Sequence, residues 1–208
     1  MIKRAAFAAL LLAPVLHAAW GSSESQELAR VLERKPDPDR GAKLYETCAA
    51  CHGPQGYGVA DGTVPAIAGQ PFAVIAKQLV AFRTGQRAEA RMQHFADTTH
   101  LSYSQEVADV AAYVSRLTPR STQPNSEAGG GRGAVLYIRR CERCHGAMAE
   151  GNDLGFAPRL AGQHAPYLVA QLTRDPNERP TLKEAHRGVT DTLSREDIAA
   201  LAATLSSL

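Results

Sequence analysis

No apolar run in the 208 residues is long enough to cross a bilayer. The longest, residues 5–16, falls well short of the ~20 that a spanning helix needs. It follows Lys3 and Arg4 and precedes the small residues Ala18 and Ala19. That order predicts a signal peptide over 1–19, and export to the periplasm. Charge of one sign is missing too. Loss of Lys3 and Arg4 takes the basic residues from 23 to 21, against 21 acidic ones. A neutral chain has no basic stripe, which excludes nucleic acid as a partner. Strand patterns are also absent. Apolar residues recur instead at helical spacing over 40–50, 71–84, 104–117 and 195–208, which predicts an all-α fold.

Cysteine is scarce, with four residues in all. Export normally favours disulfides, but the arrangement here argues against them. The four occur as Cys48-Ala-Ala-Cys51-His52 and Cys141-Glu-Arg-Cys144-His145. Each is C-x-x-C-H, the attachment signature of c-type haem. Two thiols add across the two haem vinyl groups, and the adjacent imidazole ligates the iron from below. The expected cofactors are therefore two covalently bound haem c groups. Cys48, Cys51, Cys141 and Cys144 bind them, with His52 and His145 as proximal ligands. A redox dithiol or half a zinc site would need neither the following His nor the second copy.

The motif is duplicated because the chain is. Gly41-Ala-Lys-Leu-Tyr45 recurs as Gly133-Ala-Val-Leu-Tyr137, Pro65-Ala-Ile-Ala-Gly-Gln70 as Pro158-Arg-Leu-Ala-Gly-Gln163, and Gln78-Leu79 as Gln171-Leu172. Two copies at this long period indicate tandem domains. The first is expected over 20–118, the second over 133–208. Between them, 119–132 carries Pro124, Asn125 and Gly129-Gly130-Gly131 and reads as a linker.

Methionine is scarcer still: Met1, Met92 and Met148. Electron-carrying haems take Met or His as the distal ligand. Met1 leaves with the signal peptide, and Met148 lies too close to His145 to reach the opposite haem face. The second unit is thus left without a Met ligand, and His186, seven residues before Leu193, takes that role. His164 is the other candidate. In the first unit Met92, His94 and His100 share one loop. His94 also stands seven residues before its counterpart Leu101, so the repeat register favours His94, with Met92 as the alternative.

These residues resemble the cytochrome c4 family of dihaem periplasmic electron carriers. The likeness runs through Gly151-Asn-Asp-Leu154, Pro158 to His164, Tyr167 and Gln171-Leu172 in the second unit. In the first it runs through Pro65 to Gln70, Arg83 with Gly85, and the closing helix. It implies two class I cytochrome c folds with closely packed haems. The family typically uses Met as distal ligand in both domains, and His186 departs from that. An electron carrier is expected, serving redox proteins or membrane respiratory complexes, with no small-molecule substrate. The alternative is a haem oxidoreductase of small inorganic compounds such as sulfur species, or a subunit dedicated to one. Some dihaem enzymes of that kind use a Cys thiolate as distal ligand, and no fifth Cys exists here.

Overall fold

The computed structural model describes residues 23–120, 131–174 and 186–208. The expected signal peptide and most of the expected linker lie outside them. Among the described residues the secondary structure is helical, with no strand and one isolated antiparallel bridge between Asn152 and Ala157.

The first unit holds α1 (Ser23–Leu32), α2 (Pro38–His52), α3 (Phe72–Arg83), α4 (Ala90–Ala96) and α5 (Ser104–Arg116). The start of α2 is written locally: Asp37 caps it, its carboxylate accepting from the N–H groups of Asp39 and Arg40 at 3.0 and 3.1 Å, with Pro38 in the first turn. Such caps satisfy amides that the helix itself leaves unpaired. Helix α2 crosses α5 so closely that a Cβ on Gly41 would lie 2.1 Å from the carbonyl oxygen of Asp109. Only glycine permits that approach. The core is Tyr45, Ile75, Val80, Phe82, Val107, Val110 and Val114, closed on one side by Val31 of α1.

The second unit repeats the plan with less. It holds α6 (Arg132–Arg140), α7 (Glu142–His145), α8 (Ala165–Thr173) and α9 (Arg195–Ser206). Gly133 plays the part of Gly41, since a Cβ there would lie 2.2 Å from the carbonyl oxygen of Ala200 on α9. Its core is smaller: Tyr137, Leu168, Leu201 and Leu205 with Ala149 and Ala161.

The predicted helices over 40–50, 71–84, 104–117 and 195–208 correspond to α2, α3, α5 and α9, with no end shifted by more than two residues. Helix α1 was not predicted. The repeat also hides one inserted residue. Tyr45 stands three residues before Cys48, but Tyr137 stands four before Cys141. The extra residue breaks the helix at Cys141 (φ −120°, ψ −37°), so α6 and α7 are separate where α2 is continuous. The break restores the register beyond it. Tyr45 donates its hydroxyl to the carbonyl of Gly53, and Tyr137 donates to that of Gly146, the residues after the two histidines.

The units are joined by a reciprocal set of contacts. Ala66 N–H donates to Gln163 Oε1 (3.0 Å), and Gln163 Nε2 donates to Ala66 O (2.8 Å). Arg159 N–H donates to Gln70 Oε1 (3.0 Å), and Gln70 Nε2 donates to Arg159 O (2.8 Å). The four residues are repeat counterparts, so the interface has a local two-fold relation. Asp153 adds a contact of another kind. Pro71 gives α3 no side-chain cap, and the Asp153 carboxylate accepts from Ala73 N–H at 2.7 Å. One unit thereby caps a helix of the other, placing a negative charge at its N-terminus.

Candidate haem sites

Each C-x-x-C-H sequence ends a helix, and the backbone delivers its histidine inward. His52 and His145 are 6 % and 7 % exposed. Nδ1 of His52 lies 3.0 Å from Pro65 O, and Nδ1 of His145 lies 2.8 Å from Pro158 O. A carbonyl only accepts, so Nδ1 carries the proton in both rings and Nε2 is left with its lone pair. This is how proteins fix the tautomer of a metal-binding imidazole. Burial lowers the pKa of both rings, against the hydrogen bond that raises it. Both are held neutral and ready to ligate.

The thiols do not form disulfides. Cys51 and Cys144 are exposed, whereas Cys48 and Cys141 are half-buried, and burial pushes each of these two up to about 11. A redox C-x-x-C needs a thiol pushed down towards neutrality; these go the other way. Nor does either Cys pair join a group of three metal-ligating side chains, the one such group among the described residues being His94, Asp97 and His100. A zinc cluster is not what the motifs build. Two thiols beside a buried neutral imidazole with a free Nε2 are the donor set of a covalent haem, and these residues fit it.

In the second unit the structure brings His186 to His145. The ring centroids stand 6.1 Å apart with the planes 21° from parallel. Rings in direct contact would be closer, since carbons touch at ~3.5–4.0 Å. Two imidazoles sharing one metal ion at nitrogen–metal distances of about 2 Å stand about 6 Å apart. His186 opens a turn whose Val189 N–H donates to His186 O at 2.9 Å. Arg140, immediately before Cys141, fastens that turn by donating to Val189 O (3.1 Å) and Thr192 Oγ1 (2.7 Å). Nothing in the repeat marks Arg140, whose counterpart immediately before Cys48 is Thr47.

The alternative, His164, is engaged elsewhere. It is buried, and its Nε2 lies 2.7 Å from Tyr57 O across the domain boundary. Met148 is 68 % exposed on the loop after His145.

The first unit places its two main candidates, Met92 and His94, in one element. Its distal segment is a formed helix, α4, and side chains two positions apart on a helix face nearly opposite ways. His94 is exposed, its ring edge-on to His100 at 4.5 Å and to Phe95 at 5.0 Å. Met92 is half-buried and packs against the core cluster that Cys48 and Ala49 also line. Arg91, its neighbour, is near enough for its charge to help lower the pKa of His52 after burial has done most of it. Arg83 holds this segment in place, donating to Ala96 O (2.9 Å) and Leu101 O (2.5 Å) and pairing with Glu27 of α1 at 2.9 Å.

Comparison with known proteins agrees with this architecture. The family model for cytochrome c matches residues 38–118 and 131–208. A cytochrome c4 of Thiocapsa roseopersicina is 34% identical over 192 residues, covering 83% of this chain and 93% of that protein. A thiosulfate dehydrogenase electron acceptor of Stutzerimonas stutzeri is 35% identical over 150 residues, covering 63% of this chain and 67% of that protein. Among solved structures, reduced recombinant cytochrome c4 from Pseudomonas stutzeri superposes with a TM-score of 0.71 at 30% identity, covering 84% of this chain and all of that one. A thiosulfate dehydrogenase from Marichromatium purpuratum gives 0.65 at 30% identity, covering 82% of this chain and 40% of that one. On its duplicated C-x-x-C-H helices, its paired all-α units and these matches, the chain belongs to the cytochrome c family, with the two-domain form of cytochrome c4.

Proposed function

We propose that the chain is a periplasmic electron carrier with two haem c groups of unlike ligation, exported by a signal peptide over 1–19. Cys48, Cys51 and His52 hold one haem; Cys141, Cys144 and His145 hold the other. Bound in this way, a haem supplies a one-electron redox couple. The observation that carries the reading is the 6.1 Å separation of the His145 and His186 rings. It supports two imidazole ligands at the second site. For the first site the register points to His94 and the packing to Met92. The reading favours Met92, supported by its packing against the cluster that Cys48 also lines.

Met ligation raises a haem potential, so the second site is the stronger reductant of the two. With a protein ligand on both sides of each iron, no position remains for a substrate, and the chain serves redox proteins rather than acting as an enzyme. The relatives named as electron acceptors of thiosulfate dehydrogenase favour one kind of donor, an enzyme that oxidises a small inorganic sulfur compound. Carbon monoxide added to the reduced, haem-loaded protein tests the carrier reading. Neither haem should bind it rapidly; stoichiometric uptake by either would show an open iron and overturn it.

A further inference from the structure

We propose that His94, Asp97 and His100 form a site for a divalent transition-metal ion of the zinc or copper class, distinct from both haems. The proposal rests on Met92, not His94, being the distal ligand of the first haem. One ligand atom from each of the three residues can be chosen so that all lie within 4.8 Å of one another. No other group of three such side chains comes together among the described residues.

Local structure builds the arrangement. His94 lies in the last turn of α4, and Asp97 is the residue that ends the helix. The Asp97 carboxylate accepts from Thr99 N–H (2.8 Å) and His100 N–H (3.2 Å), which folds the chain back after the helix. The fold sets the His100 ring edge-on to that of His94, with His100 Nδ1 3.0 Å from Asp97 Oδ1. Arg83 pins the carbonyls on either side of this turn, Ala96 and Leu101. The scaffold beneath the three ligands is therefore tied to α3 and is not a free loop.

Donor chemistry selects the ion. Two imidazoles and one carboxylate suit zinc with a water in the fourth position, and imidazole also suits copper and nickel. Calcium and magnesium prefer all-oxygen shells. The entry path is open, because His94 is exposed and the other two are half-buried. An ion held there would cross-link α4 to the segment after it, two residues from Met92. Occupancy should therefore register at the first haem as well as at the ion.

The test is a zinc titration of the haem-loaded, chelator-treated protein in competition with a chromophoric chelator, with visible spectra of both haems recorded throughout. One zinc per chain is expected. His94→Gln and His100→Gln should each weaken it by more than the ~10–100-fold that loss of an outer-shell partner costs, while leaving both haems low-spin. Zinc binding that the variants do not weaken, or no binding at one equivalent, overturns the inference and leaves the haem assignment standing. A high-spin first haem in His94→Gln overturns both, because His94 would then be the iron ligand.

Discussion

Gln163 grips Ala66 by both ends of its side-chain amide, at 3.0 and 2.8 Å, across the boundary between the two units. Ala66 directly follows Pro65, whose carbonyl oxygen orients His52. In the same way Gln70 grips Arg159, which follows Pro158, the partner of His145. The histidine of each C-x-x-C-H motif thus sits on backbone that the opposite unit holds. The interface and the two candidate haem sites share one frame.

Replacing both glutamines by leucine keeps their bulk and removes the four hydrogen bonds between the units, together with the one that Gln163 Oε1 accepts from His164 N–H. Backbone groups of Ala66 and Arg159 would be stranded, at ~1–3 kcal/mol for each buried unsatisfied group. The Gln70→Leu/Gln163→Leu protein should unfold at lower urea, with the transition of the smaller second unit separating from that of the first. A single transition at the wild-type midpoint would show that the clamp contributes nothing.

Arg140 should matter to the second haem without touching it. Arg140→Ala frees the turn that begins at His186 from the helix that precedes Cys141. The second haem should become partly high-spin and take up carbon monoxide when reduced, while the first is unaffected. A fully low-spin spectrum in this variant would mean that the turn holds itself.

Gly41 and Gly133 have no room for a side chain. Gly41→Ala drives a methyl group into the backbone of α5, and Gly133→Ala drives one into α9. Overpacking of this sort costs ~1–3 kcal/mol, occasionally more. Thermal unfolding should report lower stability for both, with the larger effect for Gly133→Ala, whose core is smaller. Midpoints equal to that of the wild type would contradict the close crossing.

Asp109 is fully buried on α5 and anchors the start of α2, accepting from Asp37 N–H, Gln105 and Arg40. Burial alone would raise its pKa, but these hydrogen bonds outweigh that and hold it below the usual carboxylate value. A depressed folded pKa means stability present above the unfolded value of ~3.9 and lost as pH falls through the folded value. Urea unfolding from pH 5 down to 2 should show a steep loss in the wild type that is shallower in Asp109→Asn. Parallel curves would remove Asp109 from the acid response.

Much of this was legible in the sequence for physical reasons. C-x-x-C-H is rigid chemistry on consecutive residues, so the cytochrome c family could be read without tertiary information. The apolar stripes of α3 and α5 fixed those helices because burial follows the helical period. Helix α1 has few apolar residues, chiefly Leu28, Val31 and Leu32, and Val31 is its one fully buried residue. His94 and Met92 show what register leaves open. A seven-residue spacing from Leu101 says where a residue lies along the chain, but α4 decides which way it faces. The Pro-x-x-Ala-Gly-Gln repeat was visible twice, yet its role in joining the units depends on two segments meeting in space.

Unlike ligation of the two haems is tested most directly by potentiometric titration of the haem-loaded wild type and of His186→Met. Two one-electron steps should appear, separated by well over the ~59 mV that a tenfold change spans in a one-electron couple. In His186→Met the lower step should move up towards the higher one, which itself stays in place. Two coincident steps in the wild type, or a lower step unmoved by the substitution, would contradict the assignment of His186 and Met92 as the two distal ligands.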